Sequence, residues 1–165
     1  MDLTGRLLVA LPTLTDPNFH RSVVHVLEHG AVTGAVGVIV NRPSWLEVSE
    51  YLPELAGSVV HPGVVFIGGP VQREVALTIV RDDNGAPVLI DEPDTSLPCR
   101  VFSGYAGWGI GQLEGEIAEG SWHVADPEPD DVFCEHPATL WSDVWRRQVG
   151  PLRMLATFPA DLRAN

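Results

Sequence analysis

The run Arg100-Val101-Phe102-Ser103-Gly104-Tyr105-Ala106-Gly107-Trp108-Gly109-Ile110-Gly111-Gln112-Leu113-Glu114 constrains this chain more than any other stretch. Its first residues suit a pleated, half-buried surface and predict a strand. Its last residues lead into Leu113 and Ile117, four apart and flanked by Glu114, Glu116 and Glu119, which predicts an amphipathic helix stopped by Gly120. Between them, glycines alternate with aromatic rings. Glycine at such density lets backbone approach other groups closely or turn through positive φ. Gly107, Gly109 and Gly111 could also turn amides toward a phosphate at the helix start. Their spacing is not the dinucleotide fingerprint. Glu114 and Glu116 already occupy the positive end of the helix dipole, where they repel an anion. The glycines are therefore expected to let the sheet pack closely on the helix, and Gly68-Gly69-Pro70 is read in the same way.

The remaining pattern is mostly strands. Residues 5–11 read as a strand, and Asp16-Pro17-Asn18 as a turn. Residues 22–29 and 35–40 form an expected hairpin, the second strand apolar on both faces and hence central. Ser44 with Glu47 three residues on reads as a capping box, predicting a helix from about Trp45 into the fifties, disturbed by Pro53. Residues 64–67 are a strand. Residues 75–81 and 86–90 flank Asp82-Asp83-Asn84-Gly85, a strong hairpin signal. A strand at 121–125 and an acidic, proline-rich loop at 126–131 precede Pro137, well placed to start a helix. Leu140, Trp141, Val144 and Trp145 make its apolar stripe, Arg146 and Arg147 favour its C-terminus, and Gly150-Pro151 ends it. Strands with about three helices between and after them make an α+β fold with a mainly antiparallel sheet. At 165 residues the chain is expected to be a single domain, 1–165.

Charge narrows the function classes. Twenty-two acidic residues face ten basic ones, all arginine, for a net charge of −12. Nucleic-acid binding draws on cations that neutralise phosphates. Arg146, Arg147, Arg153 and Arg163 cluster near the C-terminus but are diluted by Asp143 and Asp161. Direct nucleic-acid binding is not expected. No apolar run reaches membrane-spanning length, and Met1 to Ala10 lack the basic start and apolar core of a signal peptide. The expected location is the cytoplasm. Cys99 and Cys134 are expected as reduced, buried thiols.

His25-Val26-Leu27-Glu28-His29 matches a short zinc-peptidase pattern that needs a helix to bring both imidazoles to one ion. The surrounding Val23, Val24, Val26 and Leu27 favour a strand instead. There, residues four apart share a face but stand roughly 13 Å from each other. No metal or cofactor is expected. Ser22 and Ser103 sit in no nucleophile motif, and no serine, histidine and acid order stands out. One polar constellation remains: Asp16, Asn18, Arg21, Asn41, Arg42, Gln112 and Glu114 all fall at expected strand ends or loops. Arg21 and Arg42 could hold an anionic group as planar forks. The competing reading has these residues pair among themselves, Asp16 with Arg21 for example, and brace long loops.

Several stretches in order resemble the YqgE/AlgH family. They are Gly5-Arg6-Leu7-Leu8-Val9-Ala10 with Pro12, Asp16-Pro17-Asn18-Phe19, Arg21-Ser22-Val23-Val24, Glu28-His29, Gly34-Ala35 with Gly37, and Asn41-Arg42-Pro43. Gly68-Gly69-Pro70-Val71, the run from Arg100 to Glu114, Trp122 and Leu140-Trp141 complete the match. The resemblance implies a compact α+β domain around a barrel-like antiparallel sheet. One branch of the family is labelled a transcriptional regulator. The family has no agreed catalytic residues, so none is carried over. The expectation is a cytoplasmic binding or regulatory module, acting through a protein partner or small ligand rather than as an enzyme. The alternative is an enzyme or anion-binding pocket around Arg21 and Arg42.

Overall fold

A computed structural model describes residues 1–161; Arg163 lies outside them. Nine strands form one mixed sheet, curled into a half-barrel. The strands are β1 Leu7–Ala10, β2 Val23–Gly30, β3 Gly34–Ile39, β4 Pro43–Glu47, β5 Val64–Ile67, β6 Val71–Arg81, β7 Pro87–Ile90, β8 Cys99–Trp108 and β9 Trp122–Ala125. The helices are α1 Val48–Tyr51, α2 Gln112–Ala118 and α3 Pro137–Arg146, with 3-10 turns at Pro53–Leu55 and Gly150–Thr157. The fold is α+β, as expected. Every strand pair is antiparallel except β5 with β8.

Strand β8 organises the sheet. Its first half pairs with β6, from Cys99 opposite Val80 to Ser103 opposite Ala76, and its second half pairs with β3, from Ala106 opposite Gly37 to Trp108 opposite Ala35. Besides β5 with β4, two arms therefore leave β8: β3-β2-β1-β9, and the β6–β7 hairpin. The glycines mark the split. Gly104 has φ +72°, and a Cβ there would lie 2.6 Å from the Gly69 carbonyl oxygen. A Cβ on Gly68 or Gly69 would lie 2.3 or 2.2 Å from the carbonyls of Gly104 and Tyr105. These glycines let one backbone cross another. The expected sheet-on-helix packing is not their role, and Gly107 and Gly109 have no neighbour nearer than 3.8 Å to an added Cβ.

Side-chain alternation along the strands divides the core. Leu7, Val9, Val23, Val38, Phe66 and Phe102 face α3, whose Leu140, Trp141, Val144 and Trp145 are all buried. Each of these large side chains contributes roughly 1.5–3 kcal/mol by leaving water. The indole N–H of Trp141 donates to the Ala10 carbonyl at 2.8 Å. The opposite face, with Leu8, Val24, Val26, Ile39 and Ala106, packs on Leu113 of α2, Leu3 and Trp122. Glu116 ties this second layer together by accepting the indole N–H groups of both Trp108 and Trp122 at 2.9 Å.

One expected helix start is a strand. Ser44 and Glu47 lie in β4, paired with β5. The Ser44 hydroxyl donates to the Val65 carbonyl at 2.5 Å, holding the strand rather than capping a helix, and Glu47 makes no side-chain cap to the short α1. The sheet's demand for a neighbour to β5 prevails over the local capping signal. No described helix is long and apolar enough to cross a membrane.

Candidate functional site

The site begins with an irregularity in β2. Val26 pairs with Gly37 and Glu28 with Val36, so Leu27 is an extra residue, a bulge. The bulge reverses the alternation. His25, opposite Val38, and Glu28, opposite Val36, share one face, and His29, opposite Ala35, takes the other. The expectation that His25 and His29 share a face is corrected by this one inserted residue. His29 accepts from the Leu3 amide at 3.2 Å through Nδ1 and meets Glu114 at 2.6 Å through Nε2.

His25 and Glu28 line a cavity of about 700 Å³ between the two arms of the sheet. Thr4, Gly5, Leu27 and Val36 come from the first arm, and Asn84 to Leu89 come from the turn and start of β7. The third wall is the acidic loop, through Pro127, Glu128, Pro129 and Val132. His25 is only 5% exposed, and its Nδ1 has no hydrogen-bond partner. Burial drives its pKa down to about 4 against a weaker opposing pull from Asp131, so the ring is neutral near pH 7.

The acidic loop is held in place by arginines from two elements. Arg147, at the end of α3, grips buried Asp131 through both carboxylate oxygens at 2.7 and 2.9 Å and reaches Glu128 at 3.0 Å. Burial opposes the charge on Arg147, but the bonds and charges of Asp131 and Glu128 prevail, and its pKa rises. Arg100 is fully buried and donates to the carbonyls of Val132 at 3.1 Å, Cys134 at 2.8 Å and His61 at 2.7 Å, with its guanidinium 4.2 Å from the Phe66 ring centre.

The sequence-derived constellation divides in two. Asp16, Asn18, Arg21, Asn41 and Arg42 meet around the loop before β2. Arg42 donates to the carbonyls of Pro17, Asn18 and His20. Arg21 donates to the Phe158 carbonyl at 2.8 Å and stacks 4.1 Å from the Trp141 ring centre. Asn41 bridges the Val23 amide and the Arg21 carbonyl, and Asp16 accepts from the Asn18 amide. Burial lowers the pKa of both arginines. Gln112 and Glu114 lie apart from this group, at the start of α2. There the Gln112 side-chain oxygen accepts from the Gly109 amide, and Glu114 meets His29.

Sequence reasoning passed over His25 because the motif that contains it fails as a zinc site. The available signal was narrower: an imidazole inside a run of core-facing aliphatic residues. Cys99 and Cys134 are free thiols, both pushed up in pKa by burial.

Comparison with known proteins places this geometry in a family. The AlgH-like family model matches residues 7–97 and 86–153. A UPF0301 protein of Streptomyces coelicolor is 44% identical, covering 99% of this chain and 95% of its own length. A UPF0301 protein of Thermobifida fusca is also 44% identical, over 100% and 96%. The crystal structure of a Corynebacterium diphtheriae protein superposes with a TM-score of 0.87 at 30% identity, covering 94% of this chain and 92% of that one. The solution structure of the AlgH protein from Pseudomonas aeruginosa gives 0.69 at 26%, covering 96% and 95%. Matches to the family over most of the sequence, and to relatives over full length, establish that this chain belongs to the AlgH-like family.

Proposed function

We propose that this protein is a cytoplasmic regulatory module that works by binding a small ligand in the cavity between the two arms of its sheet, without chemical turnover. The observation that carries this reading is a cavity of about 700 Å³ whose apolar wall carries a few polar side chains, the neutral His25 and the exposed Glu28 among them. That volume falls in the range of small-molecule sites, and a few polar groups in an apolar wall are their usual composition. The anionic-ligand reading at Arg21 and Arg42 is weaker, because Arg42 spends its donors on three main-chain carbonyls. Regulation through direct nucleic-acid contact is disfavoured by a net charge of −12.

The test is a thermal-shift screen of a chemically diverse small-molecule library on three proteins: wild type, Val36→Trp and Leu89→Trp. The two variants fill the cavity from opposite walls. A ligand at a hundred times its dissociation constant adds about 2.7 kcal/mol to wild type. The expected hits stabilise wild type and lose their effect in both filled variants. Hits that persist in both, or no hits at all, would overturn the cavity as the working site. Consumption of a hit would overturn the non-enzymatic part.

A further inference from the structure

We infer that the ligand of this cavity is a hydrophobic amine, an apolar body carrying one protonated nitrogen. This rests on the small-ligand reading above and adds the chemistry. Leu27, Val36, Val88, Leu89 and Val132 line the space and call for an apolar body. The charged side chains on the wall are Glu28 and Glu128; among the described residues no arginine lines it. The nearby guanidinium of Arg147 is committed to Asp131 and Glu128. The Glu28 side chain is exposed and makes no ion pair or hydrogen bond among the described residues. An anion entering here would meet the free carboxylate of Glu28 and, at Glu128, a carboxylate whose arginine partner is already engaged. A protonated amine meets Glu28, and the neutral His25 ring beside it adds no repelling charge. The protein's charge of −12 favours the approach of a cation and resists that of an anion.

Three probes with the same chain and different heads isolate the charge: n-octylamine, 1-octanol and octanoate. Each is titrated near neutral pH at low salt into ¹⁵N-labelled protein, following the backbone amides of His25 to Glu28 and of Val88 and Leu89 by NMR. The amine is expected to bind tightest and octanoate weakest, with roughly tenfold between them if an exposed charge pair changes affinity by a few fold in each direction. Glu28→Gln, at an exposed position, is expected to weaken the amine roughly two- to fivefold and leave octanol unchanged. Equal affinity for all three, tightest binding by octanoate, or an amine preference that survives Glu28→Gln would overturn the amine proposal while leaving the cavity reading in place. If no probe moves these amides at millimolar concentration, both fail.

Discussion

At His25 two demands conflict. The strand places its side chain among Val23, Val38 and Leu7, where an aliphatic residue would pack without loss, yet the ring keeps a nitrogen that nothing satisfies. The conflict has a pH signature. The folded-state pKa of about 4 lies below the ordinary 6.5, so between these values the unfolded chain binds the extra proton. This group therefore leaves stability intact above pH 6.5 and removes it progressively as pH falls toward 4, by about 3 kcal/mol in all. His25→Leu is expected to raise stability near neutral pH by roughly 1–2 kcal/mol, since it removes a buried unpaired atom at similar volume. It should also flatten the acid limb of the stability curve. Urea denaturation at a series of pH values checks both. A less stable variant with an unchanged acid limb would mean that the imidazole is satisfied in solution. The side chain's surroundings were not legible in the sequence. Alternation gave His25 and His29 a common face, and only the pairing with β3 exposes the bulge that separates them.

Among the elements, those with their own chemistry were readable. The β2–β3 and β6–β7 hairpins, β5 and α3 follow from alternation, Asn84-Gly85 and the stripe from Leu140 to Trp145. Elements defined by a distant neighbour were not. The capping box at Ser44 is locally sound, but β5 takes that segment as a strand. The close packing expected of the glycines occurs at Gly68, Gly69 and Gly104 and against backbone rather than a helix, because nothing local reveals that the β5–β6 connection crosses β8. The distinction is testable within one strand. Gly104 combines φ +72° with carbonyls that an added Cβ would meet at 2.6 and 2.8 Å, and Gly107 has neither constraint. Gly104→Ala is expected to lower stability by about 3 kcal/mol or more, combining backbone strain with overpacking. Gly107→Ala should change it by less than about 1 kcal/mol. Equal losses in chemical denaturation would show that the crossing is not what fixes this strand.

For the molecule as a whole, the sheet supplies two arms and side chains from distant elements close the space between them. The sequence shows Arg147 as a helix-terminal charge and Arg100 as the start of a strand. Neither reading reveals that both hold the segment from Glu128 to Cys134 against the half-barrel. Arg100 fixes the far end through main-chain carbonyls. Arg147 fixes the end beside the cavity through Asp131, which is 3% exposed and depends on that partner. Arg147→Met therefore leaves a buried carboxylate uncompensated, and the expected loss is about 3 kcal/mol. The effect should be local. Hydrogen exchange is expected to quicken in the acidic loop while β2, β3 and β8 stay protected, because their ladders do not depend on the loop. Asp131→Asn removes the charge that needs compensation, so Arg147→Met with Asp131→Asn should lose less than the sum of the single changes. Additive losses, or exchange that rises evenly through the sheet, would mean that Arg147 supports the core in general. A recovered double variant with a mobile loop would instead identify the Asp131–Arg147 pair as the element that sets the third wall of the cavity.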